Sequence, residues 1–187
     1  MTIADAMKDY VAGECHSSKN AFGPAFFDEH LSVVARYALE LGRALGADLE
    51  IVELAAWLHD LSAIQDFAAL PRHPELSAEI ARKMLLERGY PSERIERVAT
   101  CIASHSLPVQ VGKGLVEEVC VSNADAMSQI VKPAYWFYYI FRVRQFGFIE
   151  GRDWLRQRVE SHWAALIPPA REIIGKQYLE VRACLKQ

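Results

Sequence analysis

Apolar residues recur every three or four positions along almost the whole chain, and no run of alternating apolar and polar residues stands between turn residues. This spacing is typical of helices that bury one face. The stretch 27–45 carries four such residues on one face, Val33, Val34, Tyr37 and Leu41. It ends before Gly46, and glycine suits the left-handed backbone that follows a helix. The pattern predicts an all-α protein.

Capping and turn residues divide the rest of the chain into further helices. Asp48 is a candidate N-cap for a helix that runs through LEIVELAAWLHD, and FAALPRHP is predicted to be a loop. Gly89 is expected to end the next helix, because Pro91 and Ser92 can start another. Helices are also predicted for PELSAEIARKMLLER, SERIERVATCIASHS, LVEEVCVSNADAMSQI, RDWLRQRVESHWAAL and the terminal segment behind Pro168 and Pro169.

The length and composition of the chain fit one compact domain. Of its 187 residues, 51% are hydrophobic and 24% are charged, which is enough for a substantial core. No internal repeat or long linker divides the chain, so we expect a single domain over residues 1–187. The net charge of -3 and the pI of about 6.1 give no general attraction to nucleic acid or to anionic membranes.

The cysteines and the beginning of the chain indicate the cellular compartment. Cys15, Cys101, Cys120 and Cys184 are widely spaced and form no CxxC pair, so we expect reduced, mostly buried thiols. The first twenty residues contain early acidic residues and no long apolar stretch, unlike a signal peptide. The predicted location is the cytoplasm.

The longest aromatic run, AYWFYYIFRVRQFGF, covers residues 134–148. It is too short to span a bilayer and is interrupted by Arg142 and Arg144, so no membrane helix is expected. Aromatic residues dominate buried contacts in cores and in subunit interfaces. The run is therefore predicted to be a helix of the core or of a homodimer interface, and the wall of a substrate pocket is the alternative.

Four of the six histidines lie at positions that point inward or start a helix. His30 and His59 lie three or four residues from apolar residues of the same helix face, so they share that face. His105 continues an apolar series at steps of three and four. His73 stands directly before Pro74, a residue that suits the first position of a helix.

Two aspartates lie in similarly apolar surroundings. Asp60 follows His59 in AAWLHDLSAI, and Asp125 lies in VCVSNADAM. A buried carboxylate must be paired, protonated or bound to a metal. Any one of these groups alone would more often be a hydrogen-bonded core residue than a ligand. As an ordered set, however, they predict a metal site that contains His30, His59, Asp60, His73, His105 and Asp125.

This order of residues, H...HD...H...H...D, resembles the HD superfamily of metal-dependent phosphohydrolases over about residues 27–130. AAWLHDLSAI is similar to the family's apolar helix that ends in HD, and HPELSAEIARKML, IASHS and VSNADAM resemble its later motifs. The GYP at residues 89–91 precedes His105, and Ser62 and Ala63 stand where the HD-GYP branch has glycine and lysine. The cyclic-di-GMP phosphodiesterases of that branch are therefore disfavoured. The resemblance implies an HD-type helical bundle, on which helices of residues 133–187 pack.

The resemblance also implies which residues bind metal. His30, His59, Asp60 and Asp125 would bind one ion, and Asp60 would reach a second ion that His73 and His105 complete. Imidazole and carboxylate ligands suit Fe or Mn, and also Zn, Ni or Co. Two such ions can hold a hydroxide that attacks a phosphoryl group. If only the first position is filled, His73 and His105 would contact the substrate or carry protons to the leaving group.

The predicted activity is hydrolysis of a phosphoester or phosphoanhydride in a small nucleotide or related metabolite, with Asp60, His73 and His105 as the catalytic residues. A diiron oxygenase that resembles myo-inositol oxygenase is the alternative, because it shares the ligand order. A non-catalytic module on this fold is disfavoured by the complete ligand set. Arg72, Lys113 and Lys132 are candidate phosphate ligands, but solvated surface positions are expected for them.

Overall fold

Helix-forming stretches separated by turn residues produce an all-helical chain in the computed structural model, which describes residues 2–186. Within that range there is no strand, so the predicted all-α class is confirmed. Two π-helical turns, Phe27–Leu31 and Tyr139–Val143, and a 3-10 helix, Phe67–Arg72, accompany the α-helices. The α-helices are α1 (Ile3–Cys15), α2 (Ser32–Leu45), α3 (Leu49–Leu58), α4 (Leu61–Gln65), α5 (His73–Glu87), α6 (Ser92–Ser104), α7 (Val116–Val131), α8 (Pro133–Tyr138), α9 (Phe148–Ala165) and α10 (Pro168–Leu185).

The predicted helix ends at Gly46, Asp48 and Gly89 are confirmed. Gly46 has a φ of 73° and Gly89 a φ of 69°, a conformation that L-residues with side chains rarely adopt. The Asp48 carboxylate accepts hydrogen bonds from the backbone N–H groups of Glu50 and Ile51. These residues therefore stop α2 and α5 and start α3 as their chemistry requires.

Two local expectations are wrong. The stretch 67–74 is not a loop, because Phe67–Arg72 forms a 3-10 helix whose first turn is capped by the Asp66 side chain. The stretch 27–45 is not one regular helix, since its first turn, Phe27–Leu31, is π-helical. A π-helical turn holds one more residue than an α-helical turn, and such turns are frequent at functional sites. His30 lies in this turn.

The α1 helix is not among the helices predicted from the sequence, and it has a clear local cause. Thr2 and Asp5 form a reciprocal capping box at its start, an arrangement that satisfies two free backbone donors. Met7, Val11 and Cys15 recur at steps of four and are fully buried. The helix packs on α3, so this row becomes part of the core.

The helices α2, α3, α6 and α7 pack against one another and carry the centre of the core, where Leu41, Leu54, Leu58, Ile102 and Met127 are fully buried. The α5 helix packs on α6, and α9 and α10 pack on α7. The α7 helix is buried along most of its length. Polar residues on α7 therefore face other protein groups or an internal cavity.

The aromatic run divides between core and cavity. Tyr135 and Ile140 are buried, and the Tyr135 hydroxyl donates to the Phe22 carbonyl at 3.0 Å. Trp136 and Tyr139 are also buried but line a cavity beside the histidines. These two residues therefore form part of a cavity wall, and a substrate-binding role for them stays a prediction.

The expectations about membrane helices and about the cysteines can be compared with residues 2–186. Within residues 2–186, no helix has the length and apolar character needed to cross a membrane. All four cysteines are free thiols, as predicted; Cys184 is exposed, and Cys15, Cys101 and Cys120 are buried.

Candidate metal centre

Six polar side chains from five parts of the fold converge on one point. His59 ends α3 and Asp60 occupies the break between α3 and α4, where its φ of -106° and ψ of 7° interrupt the helical backbone. Asp125 lies in the middle of α7. The helix-end positions of the histidines direct their rings inward from different sides. The structure thus brings together all six residues that the sequence pattern singled out: His30, His59, Asp60, His73, His105 and Asp125.

One group of ligand atoms surrounds the Nε2 atom of His30. It lies 3.1 Å from His59 Nε2, 3.2 Å from Asp60 Oδ2 and 3.4 Å from Asp125 Oδ1. His59 Nε2 is 3.3 Å from the same Asp60 Oδ2. Two imidazoles and two carboxylates therefore face a common position, which we call the first position.

A second group uses the other carboxylate oxygen of Asp60. Asp60 Oδ1 lies 3.2 Å from His73 Nε2 and 3.7 Å from His105 Nε2. The two imidazole nitrogens are 3.1 Å apart, and Ser106 Oγ is 3.1 Å from His105 Nε2. These atoms face what we call the second position, so Asp60 is the residue shared by both groups.

Hydrogen bonds at the outer ring nitrogens determine where each imidazole carries its proton. The Nδ1 atoms of His59, His73 and His105 lie 2.7 to 2.8 Å from backbone carbonyl oxygens, which only accept. His30 Nδ1 is 2.9 Å from Ser128 Oγ, whose own hydrogen goes to the Asp125 carbonyl. Each Nδ1 is therefore the donor, and each Nε2 directs a lone pair into the cluster.

This donor set fits a metal ion. When the imidazoles are neutral and carry their proton on Nδ1, no proton is left for the contacts between Nε2 atoms at 3.1 Å, and the facing lone pairs repel one another. A second proton on His59 relieves this repulsion in the metal-free protein, and a bound cation displaces that proton. A cation in each group would convert that repulsion into coordination, and the outer hydrogen bonds are those that usually orient metal-binding imidazoles. Nitrogen and carboxylate donors without a thiolate suit borderline divalent ions.

The carboxylates of the cluster stay ionised and favour positive charge beside them. Burial lowers the pKa of His59, but the carboxylates of Asp60 and Asp125 outweigh it and raise the pKa to about 9. Burial opposes ionisation of Asp60, yet the neighbouring His59, His30 and His73 hold its pKa well below the usual range. Burial and the charge of His59 lower the pKa of His105 to about 4. The carboxylates thus stay ionised and attract a cation.

A cavity of about 240 Å³ opens beside both positions. Five of the six cluster residues, all but the fully buried His59, form one side of it. Aromatic rings and two arginines form much of the remaining lining. Its other lining residues include Phe22, Phe26, Trp136, Tyr139, Trp154, Ser106, Gln129, Arg144 and Arg158.

Gln129 connects the first position to α9. Its Nε2 donates to both carboxylate oxygens of Asp125, at 3.1 and 3.0 Å. Its Oε1 accepts from Arg158 Nε and from His162 Nε2. Because donors hold the oxygen end of this amide, the amino end is directed at Asp125.

Sequence reasoning missed the cavity residues Ser106, Gln129, Arg144 and Arg158. A usable signal existed for Gln129, which follows Asp125 by one helical turn and so shares its face. None of the basic residues Arg72, Lys113 and Lys132 lines this cavity. Arg72 and Lys113 are exposed, and Lys132 pairs with Glu29 at 3.0 Å, in agreement with the surface positions expected for them.

Comparison with known proteins adds the family. The sequence model of the HD domain matches residues 27–130. No curated protein matches the sequence. The fold is similar to that of Bacillus subtilis YpgQ in complex with ADP, with 22% identity, a TM-score of 0.65, and coverage of 94% of this chain and 90% of YpgQ.

Two other solved structures share the fold. A "predicted HD superfamily hydrolase" from an uncultured Thermotogales bacterium has 21% identity and a TM-score of 0.58, with 83% of this chain and 84% of that chain covered. A Lactobacillus plantarum protein has 17% identity and a TM-score of 0.71, with 98% and 93% covered.

Proposed function

Because this chain belongs to the HD domain family, we propose that it is a metal-dependent phosphohydrolase that acts on a small nucleotide or a related phosphorylated metabolite. One observation carries the proposal. The two carboxylate oxygens of Asp60 face two neighbouring groups of imidazole nitrogens at the edge of a cavity that is also lined by two arginines. Divalent ions would neutralise the carboxylates of the cluster, and a phosphorylated substrate would neutralise the two arginines.

In this proposal, His30, His59, Asp60 and Asp125 hold one ion, and Asp60, His73 and His105 hold a second. Iron or manganese suits these ligands best, and zinc, nickel or cobalt are acceptable. When bound, such ions acidify water near neutral pH and neutralise charge on a phosphoryl oxygen that is under attack.

The protein side chains perform the remaining tasks. The Nδ1 hydrogen bonds of the four histidines hold their Nε2 atoms in place, so little reorganisation is needed during the reaction. His73 is the most exposed of the four rings, with 17% of its side chain accessible. If one ion alone is bound, His73 and His105 face the substrate and can pass a proton to the leaving group.

The cavity supports a nucleotide as the substrate. The rings of Trp136, Tyr139 and Trp154 line the cavity and give it an aromatic wall suited to contact with a nucleobase. Arg144 and Arg158 supply positive charge for phosphate groups. The similarly folded YpgQ was solved in complex with ADP, which is in keeping with this substrate class.

The proposal is tested by metal analysis of protein purified without added metal or chelator, followed by an anaerobic hydrolysis screen. Nucleoside mono-, di- and triphosphates and simple phosphomonoesters are assayed with manganese, iron or zinc. We expect phosphate or pyrophosphate release without oxygen and with manganese or zinc in place of iron. Turnover that stops without oxygen and returns on its readmission would instead establish the oxygenase that resembles myo-inositol oxygenase.

A further inference from the structure

Arg158 on α9 is a half-buried cation without a carboxylate partner among residues 2–186. Its Nε donates to Gln129, and its guanidinium lies 5.0 Å from the Trp154 ring and 5.9 Å from the Trp136 ring. A guanidinium carries five N–H donors, so four remain without a protein acceptor within the described chain. They border the cavity beside the metal centre.

Two other arginines of α9 differ from Arg158, because each lies beside a carboxylate. Arg152 pairs with Asp153 at 3.0 Å, and Arg156 lies 3.5 Å from the same carboxylate. Arg158 faces the cavity instead. Arg144, the second arginine of the cavity, likewise has no carboxylate partner in residues 2–186 and stacks on Phe146 at 5.1 Å. Unpaired guanidinium groups in one cavity form a bidentate receptor for an anion.

The position of Arg158 separates it from the place where a phosphoryl group would be attacked. The amide of Gln129 lies between Arg158 and the Asp125 carboxylate. The free N–H groups of Arg158 therefore bind a different oxygen from the one held at the cluster. Neighbouring phosphoryl groups in a diphosphate are joined through one bridging oxygen, so a single diphosphate can contact both.

Charge balance also favours a ligand with more than one phosphoryl group. Once a metal ion has displaced the additional proton of His59, the carboxylates of Asp60 and Asp125 are matched by the guanidinium groups of Arg144 and Arg158. Every divalent ion held by the cluster then adds positive charge that the ligand must neutralise. A polyanionic ligand does so better than a phosphate with a neutral remainder.

We propose that Arg158, assisted by Arg144 at the exposed side of the cavity, binds a second phosphoryl group of the substrate that is not the one attacked. The substrate is accordingly a phosphoanhydride, such as a nucleoside di- or triphosphate, and not a phosphomonoester. This inference rests on the proposed phosphohydrolase function and specifies its substrate class.

The test compares binding of inorganic pyrophosphate and inorganic phosphate to metal-loaded protein by calorimetry, after unbound metal has been removed. We expect Arg158→Gln to weaken pyrophosphate binding by about tenfold or more, the value of a charge-assisted hydrogen-bonded pair, and to change phosphate binding by less than about twofold. Arg144→Gln should weaken pyrophosphate binding by about threefold, because an exposed charge is screened. Arg156→Gln, on the exposed face of α9, is the matched control and should change neither.

Equal loss of phosphate and pyrophosphate binding in Arg158→Gln, or no loss of either, would overturn the inference. Metal content is measured on each variant; if Arg158→Gln loses metal or fails to fold, Arg158→Lys and Arg144→Gln provide the same comparison. The two failures are distinguishable. If Arg158→Gln selectively loses pyrophosphate binding but the protein hydrolyses no phosphate compound, the phosphohydrolase proposal is refuted and the Arg158 subsite is supported. If the protein hydrolyses phosphate compounds but Arg158→Gln shows no selective loss, the subsite is refuted and the phosphohydrolase proposal is supported.

Discussion

The two positions of the cluster differ in charge and burial although they share Asp60. The first position has a second carboxylate, Asp125, and its histidine side chains are at most 2% exposed. The second position has no further carboxylate, and the His73 side chain is 17% exposed. A site with more charge and less solvent binds a cation more firmly. We therefore expect a tightly held ion at the first position and a more exchangeable one at the second.

The side chains that hold the ligands in place are also more numerous at the first position than at the second. Around the first position, Ser128 holds His30, and Gln129 holds Asp125 and is itself held by Arg158 and His162. At the second position, His105 lies just beyond the end of α6 and contacts the neighbouring Ser106. The first position is thus built into the packed helices, and the second lies where helix ends meet the cavity.

The largest effect should follow from removing the residue common to both positions. Asp60→Ala should lose both ions and lower kcat/KM by more than about 100-fold, the upper end of the effect for losing a group that only supports a ligand. Metal analysis and hydrolysis rates measured on the same preparation check this. Full metal content in a folded Asp60→Ala protein would show that Asp60 is not a ligand of either ion.

Single changes at the two positions should separate them. His73→Ala should reduce the metal content from two ions to about one, and the remaining ion should resist a competing chelator as in the unmodified protein. Asp125→Asn should make the ion at the first position easier to remove, because that position then keeps one of its two carboxylates. Chelator competition followed by metal analysis measures both variants. If His73→Ala loses its last ion faster than Asp125→Asn, the order of the two positions is reversed.

A smaller effect is expected from the support of the first position. Gln129→Leu removes the donor to Asp125 and should weaken metal binding there by about 10-fold to 100-fold, the usual range for such partners. Gln157→Leu, at an exposed position of α9, is the control and should bind metal normally. Unchanged metal affinity in folded Gln129→Leu would mean that the amide does not position Asp125.

The smallest effect concerns His162 and the pH dependence of stability. Burial, and then the charge of Arg158, lower the pKa of His162 to about 4, whereas an unfolded histidine titrates near 6.5. Between about pH 6.5 and pH 4 the unfolded chain binds more protons at this residue, so its contribution to stability is complete above pH 6.5 and decreases as the pH falls. His162→Gln should therefore lose less unfolding free energy than the unmodified protein across this window. Denaturant unfolding at several pH values measures the difference, and parallel curves would contradict the assignment.

The sequence was a good guide where local chemistry decides the structure. The ends of α2 and α5 follow from the left-handed backbone at Gly46 and Gly89, and the start of α3 from the Asp48 cap. The six cluster residues could be proposed because their order in the chain resembles a family pattern. Helix phase alone would not have assigned Asp60 to a break between two helices.

The missed features depend on contacts between distant parts of the chain. The π-helical turn that carries His30 is not readable from apolar spacing, because one additional residue per turn is a tertiary adjustment. Arg158 looks like one more charge among the paired arginines of α9, and the packing of α9 on α7 is what brings it to Gln129 and the cavity. Partners 29 residues apart in sequence leave no local signal.

The central claim is that Asp60 bridges two metal positions of unequal strength. Anomalous diffraction at the manganese edge, from crystals of manganese-loaded protein, measures this directly. We expect one strong peak among His30, His59, Asp60 and Asp125, and a second, weaker peak among Asp60, His73 and His105. A single peak that has no contact with Asp60, or no peak in this cluster, would contradict it.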